Sequence, residues 1–108
     1  MDNSFFNEID AAITICDLNF KIVYMNNKSK NTFQNKKIGD DILACHNPHS
    51  IEIMNNIIST KKANVYSIDK NGIKKIIYQT PWLENNEVKG LIEFSFVVPV
   101  DMPNYKRN

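Results

Sequence analysis

The hexapeptide Cys45-His46-Asn47-Pro48-His49-Ser50 gathers both histidines of the chain and one of its two cysteines. Imidazole and thiolate ligate transition metals, and they serve as base and nucleophile near neutral pH. Zinc is poorly served here. A structural zinc site takes four ligands, Cys45, His46 and His49 supply three, and the other thiol, Cys16, lies in a distant strand-like run. A Cys45–His46 nucleophile–base pair is also disfavoured, because adjacent residues rarely face each other and no oxyanion site accompanies them. The reading is therefore non-enzymatic. Asn47 is a suitable N-cap and Pro48 fits the first helical position. The histidines then sit at a helix N-terminus, where positive potential disfavours imidazolium and leaves a neutral ring nitrogen for a ligand. The plainer role of a histidine at a helix boundary is to cap, to pack or to face water. Gly39, Gly72 and Gly90 are the only glycines, and no phosphate-binding loop can be built from them.

The elements that must position these residues follow from pattern. After Asn47, Ile53, Met54, Ile57 and Ile58 recur at helical spacing, and Lys61-Lys62 lie where a helix C-terminus favours positive charge. Before it, Ala12–Cys16 and Lys21–Asn26 read as two strands joined by a tight turn over Asp17-Leu18-Asn19-Phe20. Residues 27–45 read as short helices and loops broken at Gly39, with Asp40-Asp41 as solvated or helix-start acids. Beyond the helix, Val65–Ile68, Ile73–Leu83 and Val88–Val98 read as three strands. Asp69-Lys70-Asn71-Gly72 and Glu84-Asn85-Asn86-Glu87 are the turns between them. Ile76, Tyr78, Thr80 and Trp82 share one face of the second of these strands; Ile92, Phe94, Phe96 and Val98 share one face of the third. At the start, Ser4 can cap a short turn presenting Phe5, Phe6 and Ile9. The expected fold is α+β, a five-stranded antiparallel sheet with helices over one face.

Bulk properties exclude several classes. Thirteen basic against twelve acidic residues leave a net charge of +1, so no strong field draws nucleic acid or an acidic membrane. The apolar runs are short, such as Phe94-Ser95-Phe96-Val97-Val98, and none approaches the ~20 residues that span a bilayer. Met1-Asp2-Asn3-Ser4 lacks the basic start and apolar stretch of a signal peptide, and two cysteines make no secreted disulfide scaffold. A cytoplasmic protein with free thiols is expected. The 108 residues fit one domain, 1–108, with a core over about 5–99 and a loose tail at 100–108.

The order of two strands, short helices, a longer helix and three strands resembles the PAS domain. The stretch Asp17-Leu18-Asn19-Phe20-Lys21-Ile22-Val23-Tyr24-Met25-Asn26 resembles the Asp-turn-Ile-x-x-x-Asn signature of that family, with Phe20 in place of the usual turn glycine. Lys74–Trp82 is similar to small stand-alone bacterial PAS proteins. The resemblance implies a sensory module with a small-ligand pocket between the sheet and the facing helix. We expect Ile53, Met54, Ile57 and Ile58 on one wall and Tyr78, Trp82, Phe94 and Phe96 on the other. Haem b is one ligand the resemblance implies, since haem PAS domains of bacterial chemoreceptors carry a similar His-Asn-Pro-His pattern. His46 is then the first candidate for the iron and His49 the second, with Tyr78 or Trp82 donating to a bound gas. Covalent attachment would need Cys-x-x-Cys-His, which is absent. A small apolar molecule is the other candidate ligand. The Asp-Ile-Thr ending that often couples a PAS sheet to an output is replaced by Val97-Val98-Pro99-Val100-Asp101. Output is expected through a downstream signalling protein or through a homodimer using Phe5, Phe6, Ile9 and the outer sheet face. The competing readings are an interaction module whose pocket is filled by its own side chains, and a small enzyme on the same scaffold.

Overall fold

Asp17 and Asn26 organise the first third of the chain. The computed structural model describes residues 4–45 and 47–108. Strand β1 (Ala12–Asp17) turns into β2 (Ile22–Met25). At the turn, the Asp17 carboxylate accepts from the backbone N–H of Asn19 at 2.9 Å and of Lys21 at 3.0 Å. Phe20 takes the left-handed conformation, with φ of 59°, that the missing glycine would have occupied freely. Its ring packs against the core, which offsets that backbone cost. Asn26 is 1% exposed and caps helix α1 (Asn27–Thr32). Its Oδ1 accepts from Ser29 N and Ile13 N, and its Nδ2 donates to the carbonyls of Phe6 and Ala11. One side chain thus ties the N-terminal segment, β1 and α1 together.

A 3-10 turn at Ile42–Cys45 follows, entered by Asp41, whose carboxylate accepts from Leu43 N. Helix α2 (Pro48–Thr60) starts as its sequence requires, with Asn47 accepting from Ser50 N at 2.9 Å and Pro48 at the first position. It ends where Lys61 adopts φ of 60° and donates its N–H to Ile57 O. The strands β3 (Asn64–Lys70), β4 (Ile73–Glu84) and β5 (Glu87–Val97) complete the chain. Asn71-Gly72 and Asn85-Asn86, all at positive φ, form the two hairpin turns, as strand twist demands. The N-terminal turn covers Ser4–Phe6, and the tail beyond β5 is exposed.

The five strands form one antiparallel sheet, as expected, and their order is β2-β1-β5-β4-β3. First and last strands meet at its centre. Gly90 makes that approach possible: a Cβ there would lie 1.9 Å from the Cys16 carbonyl oxygen. Met54 and Ile57 of α2 are buried against Cys16 and Leu91, with Phe20, Ile42, Ile53 and Ile58 packed around them. Full burial of two such apolar side chains contributes roughly 1.5–3 kcal/mol each. Among the described residues, no helix is long and apolar enough to cross a membrane.

Candidate functional site

Pairing across the sheet decides which residues face the helices. Cys16 pairs with Leu91, Thr14 with Glu93 and Ala12 with Ser95; Glu93 pairs with Gln79 and Gln79 with Asn64. Opposed residues share a face, so all of these stand on the side covered by α2. Between that face, α1 and the segment around Phe33 and Ile42 lies a cavity of about 260 Å³. Its apolar walls come from Phe33, Ile42, Met54, Ile77 and Leu91.

Across this face runs a polar row, one residue from each of four neighbouring strands; Thr14, Gln79 and Glu93 line the cavity and Asn64 the one adjoining it. Asn64 Nδ2 donates to Gln79 Oε1 at 3.1 Å, and Gln79 Nε2 donates to Glu93 Oε2 at 3.1 Å. Thr14 stands opposite Glu93, and its hydroxyl shares a 2.6 Å hydrogen bond with that of Ser29 on α1. The Gln79 amide is committed at both ends, which fixes its orientation. Tyr66 lies over the row from β3; burial, and secondarily the Glu93 charge, push its phenol above the usual tyrosine range. A second cavity adjoins on the α2 side and shares Met54, Tyr66, Gln79 and Glu93 with the first. Lys36, Lys70 and Lys75 border the main cavity. The Cys16 thiol faces it too, pushed up to about 11 chiefly by burial, so it is neither nucleophile nor ready metal ligand at neutral pH.

The expected cavity wall needs correction. Tyr78, Trp82, Phe94 and Phe96 stand on the outer face of the sheet. Tyr78 and Phe94 meet edge-on there, with ring centroids 6.4 Å apart, and Tyr78 and Phe96 are each 40% exposed. Tyr78 and Trp82 on β4, and Phe94 and Phe96 on β5, do share a face, and it is the face turned away from the helix. Both faces of β4 and β5 carry apolar residues, Ile77 and Leu91 on one, Ile76 and Phe94 on the other. Alternation alone therefore does not say which is inward. The bulky aromatics looked like the core, yet smaller and polar side chains occupy the helix side and leave the space.

On α2, Met54 reaches the cavity. Ile57 is buried in the core, while Ile53 borders the adjoining cavity. His49 is exposed and borders, with Glu52, Asn56 and Asn64, a groove distinct from the main cavity. His46 lies outside the described residues. Among the described residues, no three histidine, cysteine or acidic side chains converge on a metal position, and no imidazole lines the cavity. Sequence reasoning missed Thr14, Asn64, Gln79 and Glu93. The available signal was the placement of Gln79 directly after Ile76-Ile77-Tyr78 and of Glu93 between Leu91-Ile92 and Phe94, polar residues set against apolar runs.

No protein-family model matches the chain, and no curated protein matches it either. Solved structures do. The C-terminal domain of a Streptococcus mutans protein aligns with a TM-score of 0.70 at 13% identity, over 88% of this chain and 81% of that one. A PAS domain from Colwellia psychrerythraea aligns with a TM-score of 0.65 at 18% identity, over 88% and 92%. Vibrio cholerae VqmA, solved as a complex with ligand and DNA, aligns with a TM-score of 0.68 at 20% identity, over 87% of this chain and 49% of that one. The fold is that of PAS domains.

Proposed function

We propose that this chain is a sensory module that binds a small molecule in the cavity between sheet and helices and signals through a second copy or a partner protein. The observation that carries the reading is the hydrogen-bonded polar row Asn64–Gln79–Glu93 with Thr14, of which Thr14, Gln79 and Glu93 line the cavity beside the apolar walls of Phe33, Ile42, Met54, Ile77 and Leu91. Few oriented polar groups within apolar walls are what a small-ligand site requires. A core meant only to be filled by its own side chains gains little from a half-buried carboxylate of which one oxygen is held by Gln79 and the other is left to accept. The cavity volume lies just below the ~300–1,000 Å³ common for drug-sized ligands, which suits a small metabolite. VqmA, of like fold, is solved with a ligand, which supports the role without naming the compound. The proposed role is binding, with no catalytic residue.

The test is thermal denaturation against a panel of small metabolites. A ligand at a hundredfold excess over its Kd adds about 2.7 kcal/mol of stability. For a domain of this size that corresponds to a rise of roughly 10 °C or more. The shift should shrink in Gln79→Leu. A panel with no stabilising member, or a shift indifferent to Gln79→Leu, sinks the proposal. Haem b is the competing occupant, and haemin belongs in the panel. If it binds, a Soret band appears that His46→Ala abolishes and His49→Ala at most shifts.

A further inference from the structure

We propose that the cavity selects a small zwitterion, its protonated nitrogen held at Glu93 and its anionic group at the rim formed by Lys36, Lys70 and Lys75. This rests on the ligand-site reading and specifies its chemistry. Among the described residues, Glu93 has the Gln79 amide as its hydrogen-bonding partner, on Oε2, and no cation within ion-pair distance. Gln79 cannot turn toward a ligand without abandoning Asn64 or Glu93. The carboxylate accepts but cannot donate, so the spare capacity at the floor is for an N–H donor, best a charged one. Among the described residues, no cation fills that role.

The rim has the opposite sign. Lys36, Lys70 and Lys75 come from the segment after α1, from β3 and from β4, and all border this cavity. None of them is in an ion pair among the described residues; Lys36 lies 5.2 Å over the Phe33 ring, itself a cavity wall. An anionic centre inside and cations at the border make a dipolar site. A molecule with matching charges at its two ends satisfies both, while a monopole satisfies one and meets the other as repulsion.

Four probes on one ring scaffold separate these contributions by calorimetric titration. They are para-(aminomethyl)benzoate, which is zwitterionic; benzylamine, the cation; para-toluate, the anion; and benzyl alcohol, which is neutral. Wild type should bind the zwitterion tightest and the cation about tenfold tighter than the alcohol, as a charge-assisted hydrogen bond in a partly desolvated site implies. Glu93→Gln keeps shape and removes charge. It should abolish the preference for benzylamine over benzyl alcohol and leave para-toluate as tight or tighter. Replacing Lys36, Lys70 and Lys75 together by Met should remove the advantage of the zwitterion over benzylamine. Should either variant fail to fold, the ranking of the four probes on wild type still decides. Equal binding of all four, or tightest binding by the anion or the alcohol, overturns the charge assignment and leaves a ligand site of other selectivity. No binding by any probe at millimolar concentration overturns both readings.

Discussion

Two buried polar or titratable side chains show how single residues set the stability of this fold. Asn26 makes hydrogen bonds in four directions from a position closed to water. Asn26→Ala removes a helix cap, worth ~1 kcal/mol. It also takes the partner from the buried Ile13 N–H and the part-buried Ala11 carbonyl, while the Phe6 carbonyl keeps the Ile9 N–H at 3.5 Å; each group that water cannot reach costs roughly 1–3 kcal/mol. We expect a loss of about 3–4 kcal/mol in urea denaturation. Asn26→Asp keeps the cap but turns a carboxylate oxygen toward two carbonyls, so it should be no milder. If Asn26→Asp retained wild-type stability, the donor role of Nδ2 would be wrong. Cys16 offers a pH signature. Its folded pKa is raised from 9.0 to about 11, and the thiol is the neutral form. The associated stability is therefore fully present below pH 9 and is lost as pH rises toward 11. Two units correspond to at most about 2–3 kcal/mol. Cys16→Val, which cannot ionise, should lose less stability than wild type between pH 9 and 11, the difference isolating Cys16 from lysines and tyrosines that titrate in both. Parallel curves for the two proteins count against a buried thiol.

At the scale of elements, the same substitution should have two different costs. Gly90→Ala places a methyl 1.9 Å from the Cys16 carbonyl, backbone against backbone, where β1 and β5 must pair. Separating them disrupts the centre of the sheet, and a loss of about 3 kcal/mol or an insoluble product is expected. Gly72→Ala meets no atom within 4 Å but must hold φ of 77°. That cost is about 1 kcal/mol, from backbone strain alone. Thermal melts of the two variants check the contrast. Comparable losses at both positions would mean that β1 and β5 accommodate the methyl. These elements were also the most legible in sequence. Asn47-Pro48 marks a helix start because the cap oxygen and the missing proline N–H answer the unpaired donors of a first turn. Asn71-Gly72 marks a hairpin because both residues tolerate positive φ.

For the molecule as a whole, the outer sheet face is the surface that the proposed assembly would use. Val65, Tyr78 and Phe96 are exposed there, and Phe5, Phe6 and Ile9 are exposed at the N-terminal segment. The proposed second copy covers this face. Phe96→Lys combined with Tyr78→Lys should then shift sedimentation from dimer to monomer, with little change in the melt of the monomer. A wild type that sediments as a monomer at high concentration removes the dimer from the signalling proposal. A partner protein would then be the remaining output route. The candidate site belongs to this scale as well, since Asn64, Gln79, Glu93 and Thr14 lie far apart in the chain and become neighbours only through strand pairing.

Local chemistry therefore determined the strands, the longer helix, the turns and their order. Caps, prolines, Asn-Gly pairs and alternation act over a few residues, and they can be read from a few residues. The composition of each strand face was legible for the same reason. Which face turned inward was not, because apolar residues occupy both sides of β4 and β5, and a one-residue change of reference exchanges them. Pairing of β5 with β1, made possible by Gly90, and the passage of α2 over Cys16 and Leu91 settled that choice. The same long-range contacts placed Glu93 on the cavity floor and Phe94, its neighbour in sequence, on the opposite side of the sheet.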